Sequence, residues 1–387
     1  MRRRVSPAGL VRAPLPRNPA VIISALALAV VVTMLAALTG SGPLGSVNSL
    51  RAGMAVLFGS YGADTGLIGD SWWQAAVALS TVETYAQVTG DMTYNSAIAD
   101  AFALNSGGNF ENGSNDDTAW WALAWLQAYD LTHVPAYLAM AETDADYIHQ
   151  DWDDTCGGGV WWQRNPRSYK NAITNELFLD LTASLHNEIP ADVKYLSWAR
   201  AEWSWFDHSG LINASNLIND GLDGSCANNA DVTWTYNQGV ILAGLAELYQ
   251  ATGNHSLLRT AERIATAAIS QLTSGGVLAE PCEGGSCADR LDANTRSFKG
   301  IFVTDLKALA ITAGTSQFNS FLSKQAQSIE THDTSCHHEF GMFWAGPVGR
   351  VSSSSQASAL DSLVASVRLP QHHGHTQRAR PSGHSLG

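Results

Sequence analysis

Tyr85-Ala86-Gln87-Val88-Thr89-Gly90-Asp91 and Tyr249-Gln250-Ala251-Thr252-Gly253-Asn254 carry one pattern, an apolar helical run that ends in Thr-Gly and is followed at once by Asp or Asn. Glycine just past a helix end suits the left-handed backbone that closes the last turn, and Asp or Asn can start a second helix. The pattern therefore reads as a helical hairpin used more than once. Outward from these two points, apolar residues recur at helical spacing in segment after segment, and no alternating run is long enough to build a sheet. Helices are expected at 46–59, 71–89, 92–105, 116–131, 134–151, 169–186, 190–206, 234–252, 255–272, 297–313, 315–330 and 355–367. Paired into hairpins, these predict an all-α (α/α)6 toroid of about twelve helices, whose inner ring presents helix starts to a central cleft.

Composition narrows the partners. A chain of 387 residues with 45% hydrophobic content can bury one large core or two modest ones. A formal charge of -13 excludes a phosphate-tracking nucleic-acid binder, which needs clustered Lys and Arg, and leaves a neutral ligand easiest to accommodate. Arg2, Arg3, Arg4, Arg12 and Arg17 precede an apolar run from Ala20 to Leu38, so residues 1–40 read either as a signal peptide or as an uncleaved membrane anchor. Both place residues 41–368, the folded body, outside the cell or at its surface. Residues 369–387, with His372, His373, His375 and His384 among Arg, Ser, Pro and Gly, read as a disordered tail.

Export makes the five cysteines disulfide candidates. Cys282 and Cys287 are close enough to staple a loop, while the pairing among Cys156, Cys226 and Cys336 stays open and one thiol is left over. Asn112, Asn213 and Asn254 stand in Asn-x-Ser glycosylation sequons.

Asn112-Gly113-Ser114-Asn115-Asp116-Asp117-Thr118-Ala119-Trp120-Trp121 is the segment that speaks of chemistry. Ser114 or Asn115 can cap a helix, and acidic side chains in its first turn suit the positive end of the macrodipole. The tryptophans that follow point elsewhere, because sugar rings stack their C–H edges on aromatic faces. Paired carboxylates beside such faces suit cleavage of a glycosidic bond. A glycan on Asn112 would crowd that site. His332, Cys336, His337 and His338 match no zinc spacing, and the expected chemistry needs neither metal nor cofactor.

Five blocks in order, Asn115–Trp121, Cys156–Gln163, Tyr169–Phe178, Trp234–Val240 and Phe343–Pro347, resemble glycoside hydrolase family 76, the α-1,6-mannanases, across residues 45–367. The resemblance implies an (α/α)6 fold and endo-acting, retaining cleavage of α-1,6-mannosidic linkages, with α-1,6-mannan or mannooligosaccharides as substrate; the protein is expected to be a monomer. It makes Asp116 the nucleophile and Asp117 the general acid/base. Asn115, Trp120, Trp121, Trp161, Trp162, Lys170, Asn171, Asn175, Tyr236, Asn237 and Gln238 are the candidate sugar contacts, each with a packing or capping alternative. Two competing readings remain, a transglycosidase that joins mannoproteins to wall glycan and a toroid that grips mannan without cutting it.

Overall fold

Gly90 and Gly253 both take the left-handed conformation, with φ of 73° and 70°, and donate their N–H groups to the carbonyls of Ala86 and Tyr249. After Gly253, Asn254 caps the next helix by accepting the Ser256 N–H at 3.1 Å. After Gly90 the outcome differs from expectation. The Asp91 carboxylate accepts from the Tyr85 hydroxyl at 2.8 Å and the Thr93 N–H at 3.1 Å, which holds a turn, and the helix starts at Ser96 rather than at residue 92.

The structure is a computed structural model that describes residues 44–69, 71–189, 191–285 and 290–367, all within one compact unit. Among them are twelve α-helices: α1 (Leu44–Phe58), α2 (Trp72–Thr89), α3 (Ser96–Asn105), α4 (Asn115–Thr132), α5 (Pro135–His149), α6 (Ala172–Glu188), α7 (Lys194–His208), α8 (Thr235–Thr252), α9 (His255–Gln271), α10 (Thr295–Thr312), α11 (Asn319–His332) and α12 (Ser353–Ser366). Each overlaps one of the twelve segments expected from the spacing. Two short antiparallel hairpins, Tyr61–Gly62 with Leu67–Ile68 and Thr273–Ser274 with Val277–Leu278, decorate the loops.

The even-numbered helices form the inner ring. Each packs on the next, and α12 packs back on α2, which closes the (α/α)6 toroid. The odd-numbered helices stand outside, with α5 against α4, α7 against α6 and α9 against α8. Sequence separates the layers. Inner α6 buries Ile173, Leu177, Phe178, Leu179 and Leu181 around its whole circumference, whereas outer α9 buries only a stripe of Leu257, Leu258, Ala261, Ile264, Ala265 and Ala268. Close approach inside the ring needs glycine. A Cβ on Gly239 of α8 would stand 2.6 Å from the Cα of Phe302, and one on Gly300 of α10 would stand 2.5 Å from the Cα of Ser358.

On the ring axis lies a cavity of about 170 Å³, lined by residues of all six inner helices, among them Asp180, Asp305 and Asp361. Burial, joined by neighbouring carboxylates for Asp180 and Asp305, pushes Asp180 and Asp361 up to about 8 and Asp305 well above the carboxylate range. Glu83 and Asp144, fully buried elsewhere, are raised in the same way.

A disulfide joins Cys156 to Cys226 with their Cα atoms 5.2 Å apart, and Cys336 is the free, exposed thiol. Cys282 is also disulfide-bonded, while Cys287, its expected partner, falls outside the described residues. The N-terminal segment, expected to be a signal or anchor, and the C-terminal tail lie outside them too. Among the described residues no helix is long and apolar enough to cross a membrane.

The buried acids set the pH dependence of stability. Their native pKa values lie above the unfolded value of about 4, so the folded chain holds more protons between these limits. Their contribution is full below about pH 4 and is lost as pH rises toward the native values. The melting temperature is therefore expected to fall between pH 5 and pH 8; scanning calorimetry across that range, with a flat or rising profile, would contradict this account.

Candidate active site

The chain enters α4 through Ser114, whose backbone is extended and whose hydroxyl makes no cap bond. The helix start is instead held by the loop that joins α5 to α6. The N–H of Asn115 donates to the Trp162 carbonyl at 2.8 Å, and that of Arg164 donates to the Gly113 carbonyl at 3.1 Å. The Asn115 amide reaches the Asp151 carboxylate at 3.1 Å and the Trp161 carbonyl at 2.9 Å. Asp151, itself buried, is paired with Arg164 at 2.7 Å and Arg167 at 2.5 Å. This clamp fixes the loop on which Trp162 sits.

Gly157, Gly158 and Gly159 give the loop its course, all with positive φ. A Cβ on Gly158 or Gly159 would meet the Trp205 ring at 2.8 or 2.6 Å, so the run is needed for space as well as conformation. The loop then delivers the Trp162 indole to Asp116, where Nε1 lies 3.0 Å from both carboxylate oxygens. Asp116 also accepts the N–H of Asp117 at 3.0 Å. Asp117 turns the other way, and its Oδ2 accepts from the Asn112 amide at 2.6 Å. Successive helical side chains diverge by about 100°, and here each carboxylate has acquired its own donor.

Burial, then the charge of Asp117, pushes Asp116 up to about 7 against the pull of the N–H groups of Asp117 and Trp162. Burial also raises Asp117, opposed by Asn112. The two adjacent acids thus titrate as a coupled pair that holds a proton toward neutrality. Nearby, burial and then the charges of Asp220, Asp116 and Glu176 hold the Tyr236 phenol well above its usual range, so it remains a hydrogen-bond donor. Glu176 is fully buried with no hydrogen-bond partner on either oxygen among the described residues, and burial raises it strongly.

Aromatic faces gather where inner helices begin. Trp73 of α2 stacks on Trp120 of α4 at 5.8 Å, and Tyr236 of α8 stacks on Phe298 of α10 at 3.8 Å. The Trp73 indole donates to Asn294 at 3.2 Å. Trp120, Trp161, Trp162 and Tyr236 are all half-buried, which leaves part of each ring accessible. Trp161 donates its indole N–H to Asp153 at 2.8 Å.

Other residues expected as sugar contacts stand inside the protein. Trp121 is fully buried and stacks on Trp125 beside Trp72 and Phe110. Lys170 gives its ammonium to Asp153 and to the carbonyls of Asp153, Thr155 and Gly158, which ties the glycine loop together. Asn175 bonds the Val160 backbone and the Asn171 carbonyl, and Gln238 bonds the Ile218 backbone and the Trp234 carbonyl. Asn115, Asn171 and Asn237 are likewise buried. Polar residues at inner helix starts were read as facing the cleft, but the long loops on that side need buried anchors of their own.

Reasoning from sequence missed Trp73, Phe298 and Asp220. Trp73 offered a signal, because Trp72-Trp73 opens α2 much as Trp120-Trp121 stands near the start of α4. Asp220 offered none: it comes from the long α7–α8 loop and meets the Tyr169 hydroxyl at 2.6 Å, with Asn229 donating to the same hydroxyl at 3.0 Å.

The family model described as glycosyl hydrolase family 76 matches residues 51–378. Mannan endo-1,6-alpha-mannosidase DCW1 of Saccharomyces cerevisiae is 27% identical over 362 residues, covering 84% of this chain and 78% of the relative. The namesake from Eremothecium gossypii is 28% identical over 269 residues, 62% of this chain, and the match spans only 59% of that relative. Among solved structures, an inactive variant of the alpha-1,6-mannanase GH76A of Salegentibacter, with two consecutive aspartates replaced by alanine and alpha-1,6-mannotetrose bound, superposes with a TM-score of 0.75 at 25% identity, over 83% of this chain and 98% of that one. Dfg5 from Chaetomium thermophilum shares the fold, with a TM-score of 0.75 at 22% identity over 84% and 91% of the two chains. With its toroid closed, its acid pair at the head of an inner helix and the family match running through nearly all of the described residues, this chain belongs to glycosyl hydrolase family 76.

Proposed function

We propose that the protein hydrolyses α-1,6-mannosidic bonds within mannan by double displacement at Asp116 and Asp117, with retention of anomeric configuration. The observation that carries this reading is the pair itself: two adjacent carboxylates at an inner helix start, each with a separate N–H donor, beside half-exposed aromatic rings. Consecutive aspartates are also what was replaced in the inactive Salegentibacter mannanase.

The donors divide the roles. Both oxygens of Asp116 accept from Trp162, and one also accepts from the Asp117 N–H, an arrangement that favours the ionised form. Burial is the larger cause of its raised pKa; the charge on Asp117 adds to it, and that addition vanishes when the proton resides on Asp117. Asp116 is then the nucleophile that attacks C1, while Asp117 protonates the departing glycosidic oxygen. In the second step Asp117 takes a proton from water as the water attacks C1 and releases the mannosyl ester, so two inversions restore the configuration. Trp120, Trp162 and Tyr236 offer faces for the C–H edges of mannose.

Hydrolysis is preferred to transfer onto a second glycan, since the related proteins are named as mannosidases and mannanases. The intact pair disfavours a non-catalytic mannan binder. Work outside the cell or at its surface is supported by the charged and apolar N-terminal sequence and by disulfide use.

Incubated with linear α-1,6-mannan and defined mannooligosaccharides, the wild type should yield shorter products that carry the α-anomer first by proton NMR, and Asp116→Asn should yield none. Products longer than the starting oligosaccharide would reverse the preference for hydrolysis, and an initial β-anomer would exclude the double displacement. Asp117→Asn should lose roughly 10²- to 10⁴-fold on unactivated mannosides and much less on aryl mannosides with good leaving groups; equal losses on both would remove Asp117 from the acid role. Below both pKa values the pair is doubly protonated, and above both it is doubly ionised. The alkaline fall of kcat/KM is thus expected near pH 7, where Asp116 and its partner lose their shared proton. Constant kcat/KM from pH 6 to pH 9 would disprove the shared proton.

A further inference from the structure

Asn112 occupies a glycosylation sequon, yet its side chain is already committed on both ends. Its Nδ2 donates to Asp117 Oδ2 at 2.6 Å, and its Oδ1 accepts the Ser114 N–H at 2.6 Å. The second bond sets which way round the amide stands, so the donor faces the carboxylate. The backbone is pinned as well: the Asn112 carbonyl accepts from the Tyr147 hydroxyl at 3.1 Å, and its N–H donates to the hydroxyl of fully buried Thr118 at 3.1 Å. Tyr147 in turn lies under the Arg164 guanidinium, 3.7 Å from the ring centroid. Of the three sequons, Asn254 is exposed, whereas Asn112 and Asn213 are half-buried.

We infer that Asn112 is a positioning residue for Asp117, and that its sequon stands unglycosylated in the active protein. The inference rests on the glycosidase reading and extends it to a residue with no previous role. A donor fixed on Oδ2 makes that oxygen the acceptor and leaves Oδ1 to carry the proton delivered to the leaving group and later recovered from water. A glycan on Nδ2 would replace one amide hydrogen with a bulky sugar beside the acid. The Asn112 hydrogen bond opposes the rise in the Asp117 pKa caused by burial, so its loss should move that pKa upward.

Two substitutions separate the amide from the sequon. Ser114→Ala abolishes the sequon but keeps Asn112, and the Ser114 hydroxyl makes no cap bond; Asn112→Ala removes both. Wild type, S114A and N112A should be secreted from a glycosylating host, with peptide mass spectrometry for occupancy and kcat/KM measured against pH on unactivated mannooligosaccharides and on activated aryl mannosides. The expected result is an unmodified Asn112, wild-type behaviour for S114A, and for N112A a loss of roughly 10- to 100-fold on unactivated substrates with less on activated ones. The alkaline limb of N112A should also shift to higher pH. A glycan on Asn112 in active wild type, or an N112A protein with wild-type rates and pH profile, would overturn the inference. Should the wild type cleave no mannan, the glycosidase reading fails by itself. In that case ¹³C NMR titration of the Asp117 carboxyl, assigned with D117N, still decides the point: an N112A pKa equal to that of wild type refutes the contact, and a higher one supports it.

Discussion

The buried carboxylate of Asp151 is the constraint on which the cleft depends. It is a charge removed from water that contributes to stability only while Arg164, Arg167 and the Asn115 amide surround it. Those partners come from both sides of the cleft wall, the head of α4 and the loop before α6. Meeting them forces the loop across the helix start, and this crossing brings the Trp162 indole to Asp116. Loss of one partner leaves a charge uncompensated inside the protein, a larger penalty than loss of a surface ion pair. Trp162 and Asn112 then act on a framework that is already fixed.

The fold was legible because its signals are local. Thr-Gly followed by Asp or Asn marks helix ends through backbone conformation, and the apolar spacing marks the helices, so all twelve could be placed from the chain. The starts of α3, α7 and α11 each lie four residues later than expected, and at α3 the cause is the turn that Asp91 builds with Tyr85 and Thr93. The site was legible in part. Adjacent aspartates followed by tryptophan stand out in any reading, but Trp120 and Trp121 are identical as letters and opposite in fate, one at the cleft and the other in the core. Lys170, Asn175 and Gln238 bond loop backbone for a related reason: in a toroid with long loops, polar side chains at helix starts are as much in demand for holding loop backbone as for holding sugar. Asp220 depends on a contact across many residues of chain, which no local pattern announces.

The ring carries an electrostatic character that extends beyond the acid pair. Glu176 lies near both Asp220, in the cleft, and Asp305, on the axis, and Asp305 in turn feels Asp180 and Asp361. These carboxyls are closely spaced and weakly solvated, so each disfavours ionisation of the next. The interior is accordingly a set of largely neutral acids at mildly acid pH, and the field at Asp116 is softer than a count of aspartates would suggest. That setting allows two adjacent carboxyls to hold a single proton between them.

The Cys156–Cys226 disulfide joins the loop that carries Trp161 and Trp162 to the loop that carries Asp220. It crosses from one bank of the cleft to the other, from the segment before α6 to the segment after α7. Neither cysteine belongs to a helix of the ring. The bond therefore adds a covalent tie between two loops, one of which the Asp151 ion pairs already hold in place. Reduction of that bond is accordingly a perturbation of the loops around the acid pair and not of the helices that carry it.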